Sequence, residues 1–393
     1  MNDVECPVCT GCATQGDYAV ASTPVRTATV YAEHDPEAVA RGALHLASCG
    51  ACGLVFNSCF DPSTQDFSEG YEEAQDFSSV FRGYAHELAQ RLTERYSLHG
   101  KRVLEIGCGK GGFLALLCRV AGATGVGIDP AADPSRIPED LRDVLTVFKA
   151  EYGPEHRVLV EQADFVCCRH TLEHIFDPVD LLGRLREHLG DRTDVPLVVD
   201  VPSGQHVLDC GGFWDVYYEH CMYYSDEAFA AMLNRCGFDV RSTWREFDGQ
   251  YLLAEAFPAQ RVATQVDGAA ELLAQGTRLI KAKRDGWDHW LGSLPGDTNV
   301  VLWGSGSRAV GFLSAVSNSN KIAGIVDINP FRAGKYMPGF DRAILSPDQL
   351  PALGCDAVIV MNPSYREEID ENVRAVGLPQ AKVYTVDQPP VGA

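Results

Sequence analysis

The sequence predicts an α/β protein in three successive parts: a cysteine-rich N-terminal module and two units that alternate strand and helix. Three observations carry this reading. Two Cys-x-x-Cys pairs lie within the first 52 residues. Short apolar runs alternate with helical patterns from residue 101 to about 257, as in a parallel sheet covered by helices. A second strand–glycine turn–helix series opens near residue 298. At 393 residues the chain is too long for one ordinary domain, and its 46% hydrophobic content suffices for real cores.

Composition narrows the partners. A formal charge of -21 repels a phosphate backbone and speaks against nucleic acid. It leaves room for a small anionic substrate in a locally basic pocket. No basic n-region precedes an apolar run, and no stretch of about 18 apolar residues occurs. A cytoplasmic protein with no membrane span is expected. The 14 cysteines are then reduced thiols or metal ligands rather than a disulfide framework.

Cys6-Pro-Val-Cys9 and Cys49-Gly-Ala-Cys52 are the first chemical signal. Two residues between thiols let both sulfurs turn toward one ion, and two such pairs supply a tetrahedron suited to Zn²⁺. About 40 residues separate the pairs, so the intervening β-like runs must form a hairpin or small sheet. Cys12 and Cys59 are spare candidates. Four thiolates leave no open position, so the metal's role is structural.

From residue 70 to the "SL" at 97–98 apolar residues recur at helical spacing. Then follows the most informative segment, Val103-Leu104-Glu105-Ile106-Gly107-Cys108-Gly109-Lys110-Gly111-Gly112-Phe113-Leu114. A strand enters a turn of four glycines, which let backbone approach a ligand, and a helix over 112–121 follows. A bare glycine pattern also fits a dinucleotide site. The acid Glu105 inside the strand, and Asp129 at the end of the next strand where it can grip ribose hydroxyls, argue for a different cofactor. A further strand runs into Arg169-His170-Thr171-Leu172-Glu173-His174. Helices are expected at 177–190 and 226–236, and "LLAEAF" as a late strand.

Before the helix capped by Ser225 stand Tyr217, Tyr218, Glu219 and His220. Aromatics, a carboxylate and an imidazole at the C-terminal edge of a parallel sheet are where an open α/β fold presents chemistry. A histidine beside a carboxylate serves as a general base, or as a hydrogen-bonded structural histidine under an aromatic cluster. A long helical pattern then leads to "VVLWGSGSRAVG" and "GIVDINP", a second glycine turn that suggests a nucleotide site. Arg308 and Lys335 are candidate anion contacts or solvated surface charge.

The glycine segment resembles the first motif of class I S-adenosylmethionine methyltransferases. That resemblance implies that Gly107, Gly109, Gly111 and nearby backbone hold the methionine part of S-adenosyl-L-methionine. It places Asp129 on the ribose, and Glu105 near the amino group. Arg169 and His170 complete the cofactor-binding candidates. The order of modules, with "LEHI" and "YEHCMYYS", resembles the deoxysugar C-methyltransferases over essentially all 393 residues. These methylate a carbon next to a ketone in nucleotide-linked sugars, in pathways such as antibiotic biosynthesis. The resemblance implies a zinc-binding domain at 1–68, a Rossmann-like methyltransferase domain at 69–257 and a C-terminal Rossmann-like C-methyltransferase domain at 258–393.

It further implies His220 as the base, Tyr217 and Glu219 as groups that orient it or the sugar, and His174 on the enolate oxygen. Tyr71 is either a sugar contact or a helix-packing tyrosine. Two departures touch the substrate: Tyr218 stands where the family has His, and His170 where it has Asn. The alternative is an O- or N-methyltransferase acting on another small molecule.

Overall fold

The computed structural model describes residues 3–67 and 70–390. The expected boundary between 68 and 69 lies outside the described residues. Three sheets build the molecule.

The first sheet is antiparallel. Cys12–Pro24 and Arg41–Cys49 form its long hairpin, flanked by Asp3–Glu5 on one side and Val55–Asn57 on the other. Leu44, Leu46, Ala47 and Cys49 are buried along the second long strand. The last strand comes from far along the chain: Met222–Tyr223, two residues after His220, pairs with Val55–Asn57.

The central sheet has seven strands in the order Phe238–Glu246, Tyr251–Pro258, Leu197–Pro202, Phe165–Arg169, Arg102–Ile106, Thr124–Asp129, Leu145–Lys149. The last five run parallel. Phe165, Val166, Cys167 and Cys168 are all fully buried, as expected for a strand covered on both faces. Gly112–Ala121, Pro178–Leu189 and Asp226–Arg235 are helices, close to the bounds expected from sequence. The antiparallel strand Phe238–Glu246 is only partly buried after Phe238, so it lacks the apolar run that betrays its neighbours.

One helix starts later than its periodicity suggests. It spans Ser79–Tyr96, with Ser78 Oγ accepting from Phe81 N. Residues 70–72 instead lie extended against the N-terminal module: Val30 N donates to Gly70 O at 2.9 Å and Glu72 N to Ala28 O at 3.3 Å. Those cross-chain bonds use backbone groups that a helix would need, so the segment 70–78 is a strap.

The third sheet, in the order Ile322–Val326, Val300–Trp303, Ala357–Val360, Lys382–Thr385, is wholly parallel. The helix Ala269–Ser293 leads to it and carries Trp287, whose Nε1 donates to Val386 O at 2.7 Å. Among the described residues no helix is long and apolar enough to cross a membrane.

Candidate active site

The C-terminal ends of the central and third sheets open on one cavity of about 1900 Å³. That exceeds the usual few hundred to about 1,000 Å³ of a single-ligand pocket and has room for two molecules side by side.

At one end lies the glycine turn. Gly107 and Gly109 both have left-handed φ, 75° and 52°. A Cβ on Gly107 would sit 1.8 Å from Thr171 Oγ1, and one on Gly109 would sit 2.4 Å from Glu73 Oε1. Glycine is required there on both counts. Gly111 caps the helix Gly112–Ala121. Asp129 ties the turn to the next strand, its two oxygens accepting from Gly109 N at 2.9 Å and Ala131 N at 2.6 Å. Burial raises its carboxyl, against the pull of those backbone donors. Glu105 is buried under the turn with Oε2 lacking a hydrogen-bond partner. Burial pushes it up to about 7, with Arg169 opposing. A side-chain-free cradle beside the orphaned Glu105 carboxylate fits the cationic cofactor of a methyltransferase.

Arg169 engages protein rather than open cavity. Its guanidinium pairs with Asp200 at 2.9 Å and lies 3.9 Å over the Phe113 ring. His170 has φ 47°, a left-handed conformation rare for a side chain of this kind. Its N–H donates to Asp200 O at 2.7 Å, and its ring meets Tyr251 edge-on at 4.5 Å. His170 also lines the cavity.

Those candidates gather on one wall. His220 Nε2 lies 2.7 Å from Tyr217 Oη, the rings 4.1 Å apart. The His174 ring stands 5.0 Å from that of His220. His174 Nδ1 lies 3.0 Å from Glu219 O. A carbonyl only accepts, so Nδ1 carries the hydrogen and Nε2 the lone pair. Burial holds His174 down to about 4 and His220 well below its ordinary range, leaving both neutral. With that tautomer His174 accepts hydrogen bonds through Nε2 and is unsuited to donate to an enolate oxygen.

Glu219 turns away from the cavity. Thr27 Oγ1, from the N-terminal module, donates to its carboxylate and lies 2.8 Å from Ser307 Oγ of the third sheet's unit. Burial pushes Glu219 up to about 7. Tyr71 sits on the strap, in the cavity lining, with Phe67 edge-on at 5.2 Å. It is not a helix-packing residue, because the helix begins eight residues later.

The far wall comes from the second glycine turn. Asp327 Oδ2 accepts from Ser305 N at 2.8 Å and Ser305 Oγ at 2.6 Å, repeating the Asp129–Gly109 arrangement. Arg308 lines the cavity but is paired with Asp215 at 2.6 Å and donates to Gln250 at 2.9 Å. Lys335 is exposed.

The four predicted thiols converge. Cys6, Cys9, Cys49 and Cys52 place their sulfurs within 4.8 Å of one another, with Cys6–Cys52 at 3.6 Å and Cys9–Cys49 at 3.4 Å. A tetrahedral ion with bonds of about 2.3 Å needs sulfur–sulfur edges near 3.8 Å (roughly). The donor set and spacing fit zinc. Cys12 and Cys59 are exposed and outside the cluster.

Several residues that shape the site carried no local signal. Thr27, Glu73 and Arg332 belong to no motif and reach the site only through tertiary structure. Glu173 lay within the quoted "LEHI" but drew no role. It is buried, with Oε1 3.8 Å from both His170 Nδ1 and His174 Nε2.

A family described as "Methyltransferase domain" matches residues 80–243, and one described as "C2185-like, N-terminal" matches residues 296–384. The C-methyltransferase NovU of Streptomyces niveus is 25% identical over 375 residues, covering 89% of this chain and 87% of that protein. A ubiquinone biosynthesis O-methyltransferase of Pseudomonas putida is 36% identical over 101 residues, 23% of this chain and 40% of its own length. Among solved structures, the N,N-8-amino-8-demethyl-D-riboflavin dimethyltransferase RosA of Streptomyces davawensis has a TM-score of 0.37 at 22% identity, over 46% of this chain and 55% of its own. The chain is an S-adenosylmethionine-dependent methyltransferase, with its methyltransferase domain matched over residues 80–243.

Proposed function

We propose that this enzyme is a C-methyltransferase that methylates a carbon alpha to a ketone in a nucleotide-linked deoxysugar. One observation carries the reading: two neutral, buried imidazoles and a tyrosine hydroxyl share the cavity wall beyond the glycine turn. The 25% identity to a C-methyltransferase along most of both chains supports it.

S-adenosyl-L-methionine, cradled by Gly107, Gly109 and Gly111 with Asp129 and Glu105 beside it, supplies an electrophilic methyl. A C–H beside a ketone is too weak an acid for water to ionise quickly, so a positioned base and a donor to the oxygen are both needed. In the tautomer that carries its hydrogen on Nε2, His220 donates to Tyr217 and takes that proton at Nδ1. The Tyr217 hydroxyl is then free to donate to the developing enolate oxygen. Glu219, clamped by Thr27, fixes the loop that carries both, and its carbonyl holds His174. Bound there, the cofactor would offer its methyl to the carbanion, with the methyl–sulfur bond breaking as the carbon–carbon bond forms and the demethylated thioether leaving, and the cavity would hold the two reactants in proximity. The nucleotide lies toward the second glycine turn.

On this reading residues 1–68 form a zinc-binding domain with a structural metal on Cys6, Cys9, Cys49 and Cys52. Residues 69–257 and 258–393 form the methyltransferase and Rossmann-like C-terminal domains. The test is solvent deuterium. With nucleotide-linked keto sugar but no methyl donor, the wild type exchanges the alpha hydrogen and His220→Asn does not. Exchange that survives His220→Asn removes His220 as base. No exchange in the wild type favours O-methylation, for which the acceptor nitrogen of His174 suits a hydroxyl.

A further inference from the structure

The strap brings a third carboxylate to the cofactor end of the cavity. Glu73 accepts from Lys110 N at 3.3 Å through Oε1, and that oxygen occupies the space a Gly109 side chain would take. Its Oε2 is sealed from solvent and has no hydrogen-bond partner. An unpaired buried carboxylate is costly, and proteins retain one where a ligand completes it.

The strap is held down from the central unit and from the unit of the third sheet. Glu72 pairs with Arg136 at 2.6 Å and accepts from Asn329 Nδ2 at 3.1 Å. Arg332 donates to the Glu72 carbonyl and to Ala28 O. At the other end Glu368 accepts from Ser78 Oγ at 2.6 Å and Ser79 N at 2.7 Å, fastening the first turn of the helix Ser79–Tyr96. Glu73 thus sits on a short span anchored at both ends by residues far away in sequence.

We infer that Glu73 is a cofactor-binding residue that meets the positively charged methionyl–sulfonium part of S-adenosylmethionine, and that Glu368 latches it in place. The inference rests on the methyltransferase activity alone and is independent of the acceptor. It also gives the third sheet's unit a role in cofactor affinity, in addition to any role in holding substrate. Burial lifts the Glu73 carboxyl to about 7 against the pull of Lys110, consistent with a charge awaiting its counterion.

The experiment is calorimetric titration of the full chain with S-adenosylmethionine, alongside melting of the cofactor-free protein. Glu73→Gln keeps the shape and removes the charge. We expect at least a tenfold loss of affinity with an unchanged or higher apo melting temperature. Glu368→Ala should lower affinity about threefold, and should add nothing in the Glu73→Gln background, because a latch without its carboxylate has nothing to hold. Wild-type affinity in Glu73→Gln, or a fall in affinity matched by a fall in apo stability, overturns the inference. Additive losses overturn the latch. A wild type that takes up no cofactor is a separate failure, of the methyltransferase assignment itself.

Discussion

Replacing Glu105 by Gln should make the cofactor-free enzyme more stable in base and leave it little changed in acid. The carboxyl is sealed inside the sheet, and burial, opposed by Arg169, raises it from 4.5 to about 7. The folded protein therefore keeps the proton to higher pH than the unfolded chain does. Its contribution to stability is complete below about 4.5 and declines as pH rises through about 7. Linkage gives a cost of roughly 1.4 kcal/mol at pH 5.5 and roughly 3.4 kcal/mol at pH 8.5. Glutamine carries no such penalty at either pH. Any fixed cost of burying its amide is the same at both and cancels. The variant should thus gain about 2 kcal/mol relative to wild type between pH 5.5 and 8.5. Urea unfolding of both proteins at the two pH values, without cofactor, measures it. A variant equally destabilised at both would refute the argument that this carboxylate is an uncompensated charge, and with it the account of why the site attracts a cation.

Three further outcomes are expected. Gly107→Ala should weaken cofactor binding at least tenfold by calorimetry, because a methyl 1.8 Å from Thr171 Oγ1 must displace that side chain and φ 75° disfavours alanine. If the four thiols hold zinc as proposed, Cys49→Ser should abolish stoichiometric zinc by elemental analysis and lower the melting temperature, since it removes one of the four ligands. Thr27→Val should reduce turnover about tenfold while leaving cofactor affinity within twofold, because it frees the Glu219 carboxylate without touching the glycine turn.

What the sequence revealed was what depends on neighbours along the chain. The glycine turn, Asp129 and the Cys pairs announce themselves because their chemistry fixes their spacing within a few residues. The parallel strands were legible because burial on both faces makes them apolar throughout. Phe238–Glu246 was not, because an edge strand mixes polar and apolar residues. The strap misled for a related reason: residues 70–78 keep helical spacing, yet their backbone partners lie near Ala28 and Val30. Glu73, Thr27 and Arg332 gave no warning, since each acts across more than 30 residues of sequence. The tautomer of His174 depends on a carbonyl 45 residues away and could be read only from geometry.

The short strand Met222–Tyr223 constrains how such an enzyme can be re-engineered or diversified. Because it completes the sheet that holds the thiol cluster, the segment bearing Tyr217 and His220 is stitched into a module whose other strands end near residue 57. A chimera that swaps the N-terminal module at a linear cut would leave a foreign edge beneath the reaction chamber. Grafts between relatives should carry residues 217–223 together with the module, as one inheritable block.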